Sequence, residues 1–285
     1  MSVVIVGGAG FVGQHCARLV RNPIIYDLAN GDDARDIDKL TAVMRDAAMV
    51  WHLASNADIA AGAKDPTIDF ENGTRVTQAV CEATRRSGAQ GLIYFSGSGV
   101  YGERHGLPCR EHAGPFMPNS PYGASKLAGE GLVAAYAQMY RIPAIILRPA
   151  NIVGPGQTHG VGLDFIRRLK ENPEHLYVRG NGWQTKSYVH VQDVLGAVLA
   201  ISQTARMAVT VVNVAADDAL TVREIATMAA ATLGVNPEFH YEESDRGWAG
   251  DVPVVTLSCE YLRRTGWEPR YTSREAMQLA LSSFV

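Results

Sequence analysis

Cysteine is scarce in this chain, four residues among 285, and Cys16, Cys81, Cys109 and Cys259 stand far apart with no C-x-x-C spacing and no histidine cluster at metal-ligand spacing. That scarcity argues against a disulfide framework and against a metal site, and it makes a reducing cytoplasm the expected compartment. Charge of one sign is lacking as well. With 26 Lys and Arg against 29 Asp and Glu, the formal net charge is -3, which offers no bulk attraction to nucleic acid or to an anionic membrane, so neither is an expected partner. No apolar run approaches the roughly 18 residues needed to span a bilayer. The start, a short apolar strand followed by glycines, has neither the charged n-region nor the long h-region of a signal peptide. Internal repeats, low-complexity tracts and Pro/Ser-rich linkers are also missing.

What is present is an ordinary globular composition, 47% hydrophobic and 19% charged, in a chain long enough for one large α/β domain or for a large domain with a smaller lobe. "SVVIVGGAGFVGQHCARLV" reads as a buried strand, a glycine turn and an amphipathic helix. "NPIIYD", "AAMVWHLAS" and "GLIYFSG" read as further strands, and "PAIILRPANIVG" as another after a helix that carries Tyr122. Strands alternating with helices imply a parallel sheet with right-handed crossovers.

Gly7, Gly8, Gly10 and Gly13 lie between the first strand and the first helix and satisfy G-x-G-x-x-G. A Cβ there would block both the tight turn and the approach of a pyrophosphate to the helix N-terminus. Gly7, Gly10, Phe11, Val12 and Gly13 are therefore candidate cofactor-binding residues. Asp27 ends the second strand, where a carboxylate accepts from the adenosine ribose 2′-hydroxyl and repels a 2′-phosphate, so NAD is favoured over NADP. The expected fold class is α/β, a Rossmann-type doubly wound parallel sheet with a smaller C-terminal α+β substrate lobe. The expected boundaries are residues 1–154 for the NAD-binding domain, with 187–213 partly returning to it, and residues 155–186 and 214–285 for the second lobe.

In "SPYGASKLAGE", Tyr122 and Lys126 are four residues apart and share one face of a helix. A free tyrosine has a pKa near 10, so lowering it by about three units takes roughly 4 kcal/mol. An ammonium at about 4 Å supplies approximately that at an effective dielectric of 20. The expected product is a phenolate able to remove a hydroxyl proton while NAD takes a hydride from the same carbon.

With these motifs the chain resembles the extended short-chain dehydrogenase/reductase family, in particular NAD-dependent nucleotide-sugar epimerases of the UDP-glucose 4-epimerase type. The resemblance covers nearly the whole chain, since "HLAS", "SGVYG", "LRPANIVGPGQ", "GNGWQTKSYVHVQDV" and "DRGWAGDV" follow in family order. It implies that Asp33 and Ala34 border the adenine, that Leu53, Ala54 and Ser55 line the path to the nicotinamide, and that Pro149 lies beside it. It further implies that Asn151 contacts the sugar diphosphate, that Tyr177 and Val178 surround the base, and that Lys186, Arg246 and Asp251 surround diphosphate and ribose. Lys186 stands where the family often has Arg, which keeps the charge but loses the bidentate fork. A homodimer paired through two helices is also implied.

The activity implied is reversible C4 epimerisation of a UDP-sugar through a 4-keto intermediate, in a cytoplasmic enzyme. Val255 suggests room for N-acetylhexosamine nucleotides. Gly99 stands where related dehydratases and decarboxylases carry an acid before Val-Tyr-Gly, which argues against elimination. The alternatives are another NAD-dependent modification of a nucleotide sugar and a non-catalytic dinucleotide-binding protein. A Cys109/His112 proton-transfer pair is a weaker reading of the "LPCREH" loop. The family's helper hydroxyl falls four residues before Tyr101, which here is Gly97. Ser96 and Ser98 flank it, and Ser98, nearer the open end of the strand, is the favoured substitute.

Overall fold

The computed structural model describes residues 2–56, 58–104, 108–205 and 207–285. Its central sheet has six strands: β1 (Val3–Val6), β2 (Ile24–Tyr26), β3 (Met49–His52), β4 (Leu92–Phe95), β5 (Ala144–Pro149) and β6 (Val209–Val214), in spatial order β6-β5-β4-β3-β1-β2. Every pairing is parallel. The expected α/β fold with a Rossmann-type sheet is observed.

Alternation along each strand decides which helices cover which face. Val4, Val6, Val50, Tyr94 and Ile146 point to a core closed by α2 (Ile37–Val43), α3 (Val76–Ser87) and α4 (Pro121–Tyr140). Ile5, Trp51, Ile93, Ile145 and Leu147 point the other way, to a core that includes Cys16 of α1 (Phe11–Leu19) and Val194 and Val198 of α6 (Val191–Thr204). With both faces covered, "LIYF" and "AIILRP" are buried at every position, which is why these strands read as continuous apolar runs. All four cysteines are buried free thiols, so the poor disulfide reading agrees with the structure.

The lobe has α5 (Val161–Glu171), α7 (Val222–Leu233) and α8 (Ser273–Ser282) around a separate core of Phe165, Ile166, Leu169, Leu176, Ile225 and Met277, whereas Leu257, Cys259, Leu262 and Trp267 pack into the main core. Thr221 with Glu224 and Thr272 with Glu275 form capping boxes that start α7 and α8. Two short parallel ribbons flank this core: residues 151–153 with 188–190, and residues 175–178 with 238–241. Because β1 runs to β2 on one side and to β3 on the other, the carboxyl ends of β1 and β3 frame the crevice where such sheets bind ligands.

Candidate active site

The glycine loop fits a dinucleotide on its own geometry. Gly7 has φ +84°, and a Cβ there would lie 2.5 Å from the Ala54 amide nitrogen; a Cβ on Gly13 would lie 2.3 Å from the Gly7 carbonyl. The loop is thus pressed against Leu53 and Ala54 at the end of β3, in a cradle that side chains would fill. No side chain caps α1 at Gly10, which leaves its first amides for an anion. Asp27 is part of this loop: Oδ2 accepts from the Ala9 amide at 2.9 Å and Oδ1 from the Ala29 amide at 2.9 Å. Asp33 instead holds Arg35, at 2.7 Å, and the guanidinium keeps its carboxyl below the usual range. Ala34 is buried beside it.

Helix α4 begins at Ser120, which accepts from the Gly123 amide at 3.1 Å, with Pro121 at the first helical position. That start delivers Tyr122 to the crevice. The Ser55 side chain, just beyond β3, lies beside the Tyr122 hydroxyl. Burial pushes the phenol up to about 12; the Ser55 side chain pulls it down and the Asp69 carboxylate raises it. The expected depression by Lys126 is therefore absent here. The reason lies in where Lys126 points: its ammonium donates to the Phe95 carbonyl at 2.8 Å and stands 5.7 Å from the centre of the Tyr122 ring. Burial lowers the Lys126 pKa to about 8, and Glu130 partly offsets this. His52, below it, is held neutral: burial, then the Lys126 charge, lower its pKa to about 3. Thr77 donates to the Gly73 carbonyl at 2.8 Å, so it accepts from His52 Nε2 at 2.9 Å.

The two serines part company at the end of β4. Ser96 is buried and donates to Glu130 Oε1 at 2.6 Å. It therefore faces the interior, and its catalytic reading is corrected: a hydroxyl sealed against a carboxylate does not meet a sugar. Gly97 has φ 178° and ψ 169°, extended backbone open to any residue, and a Cβ on it would meet nothing within 4 Å. Ser98 is half-buried at the start of the 3-10 turn Ser98–Tyr101, which lies against the first turn of α4; a Cβ on Gly123 would come 2.7 Å from the Gly99 carbonyl.

Across the crevice the lobe brings Lys186, Arg246 and Asp251 together. Lys186 is paired with the buried Asp251 carboxylate, whose second oxygen accepts from the Gly247 amide at 3.2 Å. Arg246 donates to the Asp251 carbonyl at 2.7 Å and to Glu103 Oε2 at 2.7 Å. Asn151 is exposed just beyond β5, and Pro149 is buried at that strand's end. Tyr177 is 63% exposed and stacks on His240 with ring centroids 4.5 Å apart. Val178, one residue on, turns its side chain into the lobe core, so the expectation that it surrounds the base is corrected to its backbone at most. Val255 pairs with Lys186 in a short strand and packs against the main core, so it carries no pocket argument. Cys109 is buried with its thiol pKa raised by desolvation, which removes the Cys/His pair as a proton carrier.

Several residues of this region were not singled out in the sequence. Glu103 is the lobe-facing partner of Arg246, and nothing local in "YGER" marks it. Glu130 and Arg148 form a bidentate pair at 2.8 and 2.6 Å, almost fully buried, and Arg148 also donates to Tyr101 Oη at 3.0 Å and to the Glu111 carbonyl at 2.8 Å. Tyr101 in turn donates to Asn213 Oδ1 on β6 at 2.7 Å. A signal for Glu130 existed, since it lies one further four-residue step along the face of Tyr122 and Lys126. Asp69, buried and bonded to Asn56 at 2.9 Å, gave none.

Comparison with known proteins adds the following. The profile of the NAD dependent epimerase/dehydratase family matches residues 3–215. The UDP-glucose 4-epimerase of Mycolicibacterium smegmatis is 27% identical over 100% of this chain and 98% of its own length. A crystal structure of a UDP-galactose 4-epimerase superposes with TM-score 0.89 at 31% identity, covering 99% of this chain and 98% of the other. The Thermus thermophilus UDP-glucose 4-epimerase in complex with NAD superposes with TM-score 0.86 at 30% identity, covering 100% and 99%.

Proposed function

Because the chain belongs to the NAD dependent epimerase/dehydratase family, we propose that it is an NAD-dependent isomerase of the UDP-glucose 4-epimerase type, inverting C4 of a UDP-sugar through a 4-keto intermediate. The observation that carries this reading is the Tyr122 hydroxyl beside Ser55 and the glycine cradle, at the carboxyl end of the sheet.

The residues suited to the cofactor are Gly7, Gly10, Phe11, Val12 and Gly13 at the pyrophosphate, Asp27 at the ribose, Asp33 and Ala34 at the adenine, and Leu53, Ala54, Ser55, Lys126 and Pro149 toward the nicotinamide. NAD, when bound, supplies a reversible acceptor for the C4 hydride and adds positive charge close to Tyr122. The protein's own part is acid-base work and positioning. Tyr122 takes the proton of the C4 hydroxyl and returns it, and Ser98 bonds the same hydroxyl. Lys126, anchored on the Phe95 carbonyl, adds its charge to that of the nicotinamide beside the phenol. Asn151, Lys186 and Arg246 hold the nucleotide diphosphate, Asp251 accepts from the ribose hydroxyls, and Tyr177 meets the base, so that the hexose alone turns. Gly99 supplies no acid for elimination, which separates this site from dehydratases.

No helix among the described residues is long and apolar enough to cross a membrane, and the buried free thiols suit a cytoplasmic enzyme. Pairing of α3 and α4 with a second copy is supported by the apolar end of α4, where Met139 and Tyr140 are exposed.

The test is NAD content of the protein as purified, followed by NMR of UDP-glucose incubated with it and added NAD. Conversion to UDP-galactose is expected. No epimerisation across UDP-glucose, UDP-galactose and their N-acetyl forms would overturn the reading.

A further inference from the structure

In the lobe, the parallel ribbon of residues 175–178 and 238–241 puts Glu238 opposite His175 and His240 opposite Tyr177. Alternation then sorts the eight side chains. Leu176 and Val178 enter the lobe core with Phe239 and Tyr241 packed against it, while His175, Tyr177, Glu238 and His240 share the other face.

Three of those four converge on one point. His175 Nδ1 is 3.1 Å from His240 Nε2 and 3.6 Å from Glu238 Oε2, and His240 Nε2 is 3.8 Å from that same oxygen. A tetrahedral zinc with its donors at about 2.0–2.1 Å holds them roughly 3.4 Å apart, which lies inside the range of these three edges. Two imidazoles and one carboxylate are also a donor set that borderline divalent ions prefer over calcium or magnesium.

We propose that His175, Glu238 and His240 bind one zinc-class divalent ion, which ties the two strands of this ribbon together across more than sixty residues of chain. Binding needs the lone pairs of both facing ring nitrogens. The rings therefore carry their protons on His175 Nε2 and His240 Nδ1, and the hydrogen bond that now joins them gives way to the ion. Glu238 is mostly exposed, and its solvent side leaves the fourth position to water. His240 is held from its other side by the stacked Tyr177 ring, so one ligand is already oriented by a neighbour, as bound metals require. The sequence spacing hid the site, because the ligands come from two strands that pair only in the folded lobe.

The full-length, tag-free protein, stripped with chelator, is titrated with Co2+ and the visible bands of four-coordinate cobalt are followed. One equivalent per chain, displaced by Zn2+, is expected, with a rise in melting temperature on adding Zn2+. His175→Gln and Glu238→Gln alter a half-buried and an exposed side chain outside the lobe core, so circular dichroism should show them folded. Since even outer partners of a metal ligand are worth about 10–100-fold in affinity, each variant should bind at least about tenfold more weakly. Binding below one equivalent, or affinity unchanged in either folded variant, overturns the proposal.

Discussion

On the sheet side of the crevice, Lys126 and Glu130 are sealed from water and committed to partners within the same wall: a strand carbonyl for one, Arg148 and Ser96 for the other. On the lobe side, Lys186 and Arg246 remain part-open to solvent and are held by Asp251 and Glu103. Buried charges without partners cost several kcal/mol each, so the sheet wall is fixed in advance of any ligand. Exposed pairs are weak and exchange readily. On the lobe wall Arg246 is held by Glu103 in such a part-exposed pair, while Lys186 is held by the buried Asp251 carboxylate. In the reaction we propose, proton transfer falls to the rigid side and recognition to the adjustable side.

The sharpest break of this comparison is Tyr122→Phe. Removal of the Tyr122 hydroxyl should lower kcat about 1,000-fold while NAD and UDP-sugar binding, measured by calorimetry, stay within error. An equal loss of binding would place Tyr122 in recognition and not in proton transfer. Glu130→Gln attacks the rigidity of the same wall without touching the crevice. It leaves Arg148 buried beside a neutral amide, and urea unfolding should show a loss of about 3 kcal/mol or more. A stability within 1 kcal/mol of wild type, the range of exposed pairs, would mean that this wall is as adjustable as the other.

The acidity of Tyr122 tests whether that wall is finished without cofactor. In the free protein burial holds the phenol near 12, above the ordinary value near 10. A raised folded-state pKa contributes stability that is present below pH 10 and is lost as pH climbs toward 12, so alkaline unfolding should soften in Tyr122→Phe over that window. During turnover the phenolate is needed, and the kcat profile should rise with an apparent pKa below 10 that moves upward in Lys126→Met. An unchanged profile in that variant would remove Lys126 from the control of Tyr122. On the lobe wall, Glu103→Gln frees Arg246 for the diphosphate and should lower KM about fivefold, the scale of one exposed ion pair, with kcat unchanged. A higher KM would show that Glu103 aids binding and is no competitor.

The strand-glycine-helix pattern, Asp27 and the Tyr122/Lys126 spacing were legible because each is a local rule: a Cβ forbidden in a turn, two side chains on one helical face. The direction of the Tyr122 pKa was not, because it depends on how much water three separate segments exclude. Ser96 was misread for a related reason. Its face of β4 is set by alternation, but that the face is occupied by Glu130 follows only from the packing of α4 on the sheet. Val178 was assigned to the base through its neighbour Tyr177, and the pleat sends the two in opposite directions.

The smallest effect expected is at Gly97, and it bears on the one unfinished piece of the rigid wall. The residue is extended, at φ 178°, and an added Cβ has open space for 4 Å around it, so serine enters there without strain on either backbone or neighbours. Its hydroxyl would lie four residues before Tyr101, between the buried Ser96 and the half-buried Ser98. Gly97→Ser should raise kcat about threefold, the net worth of one added hydrogen bond, with melting temperature unchanged. If Ser98 now bonds the C4 hydroxyl, Ser98→Ala lowers kcat in the wild-type background and does little in the Gly97→Ser background, because two hydroxyls compete for one partner. Equal losses in both backgrounds would place the two serines on different atoms. No loss in the wild type would assign the position to a water held in the space that Gly97 leaves.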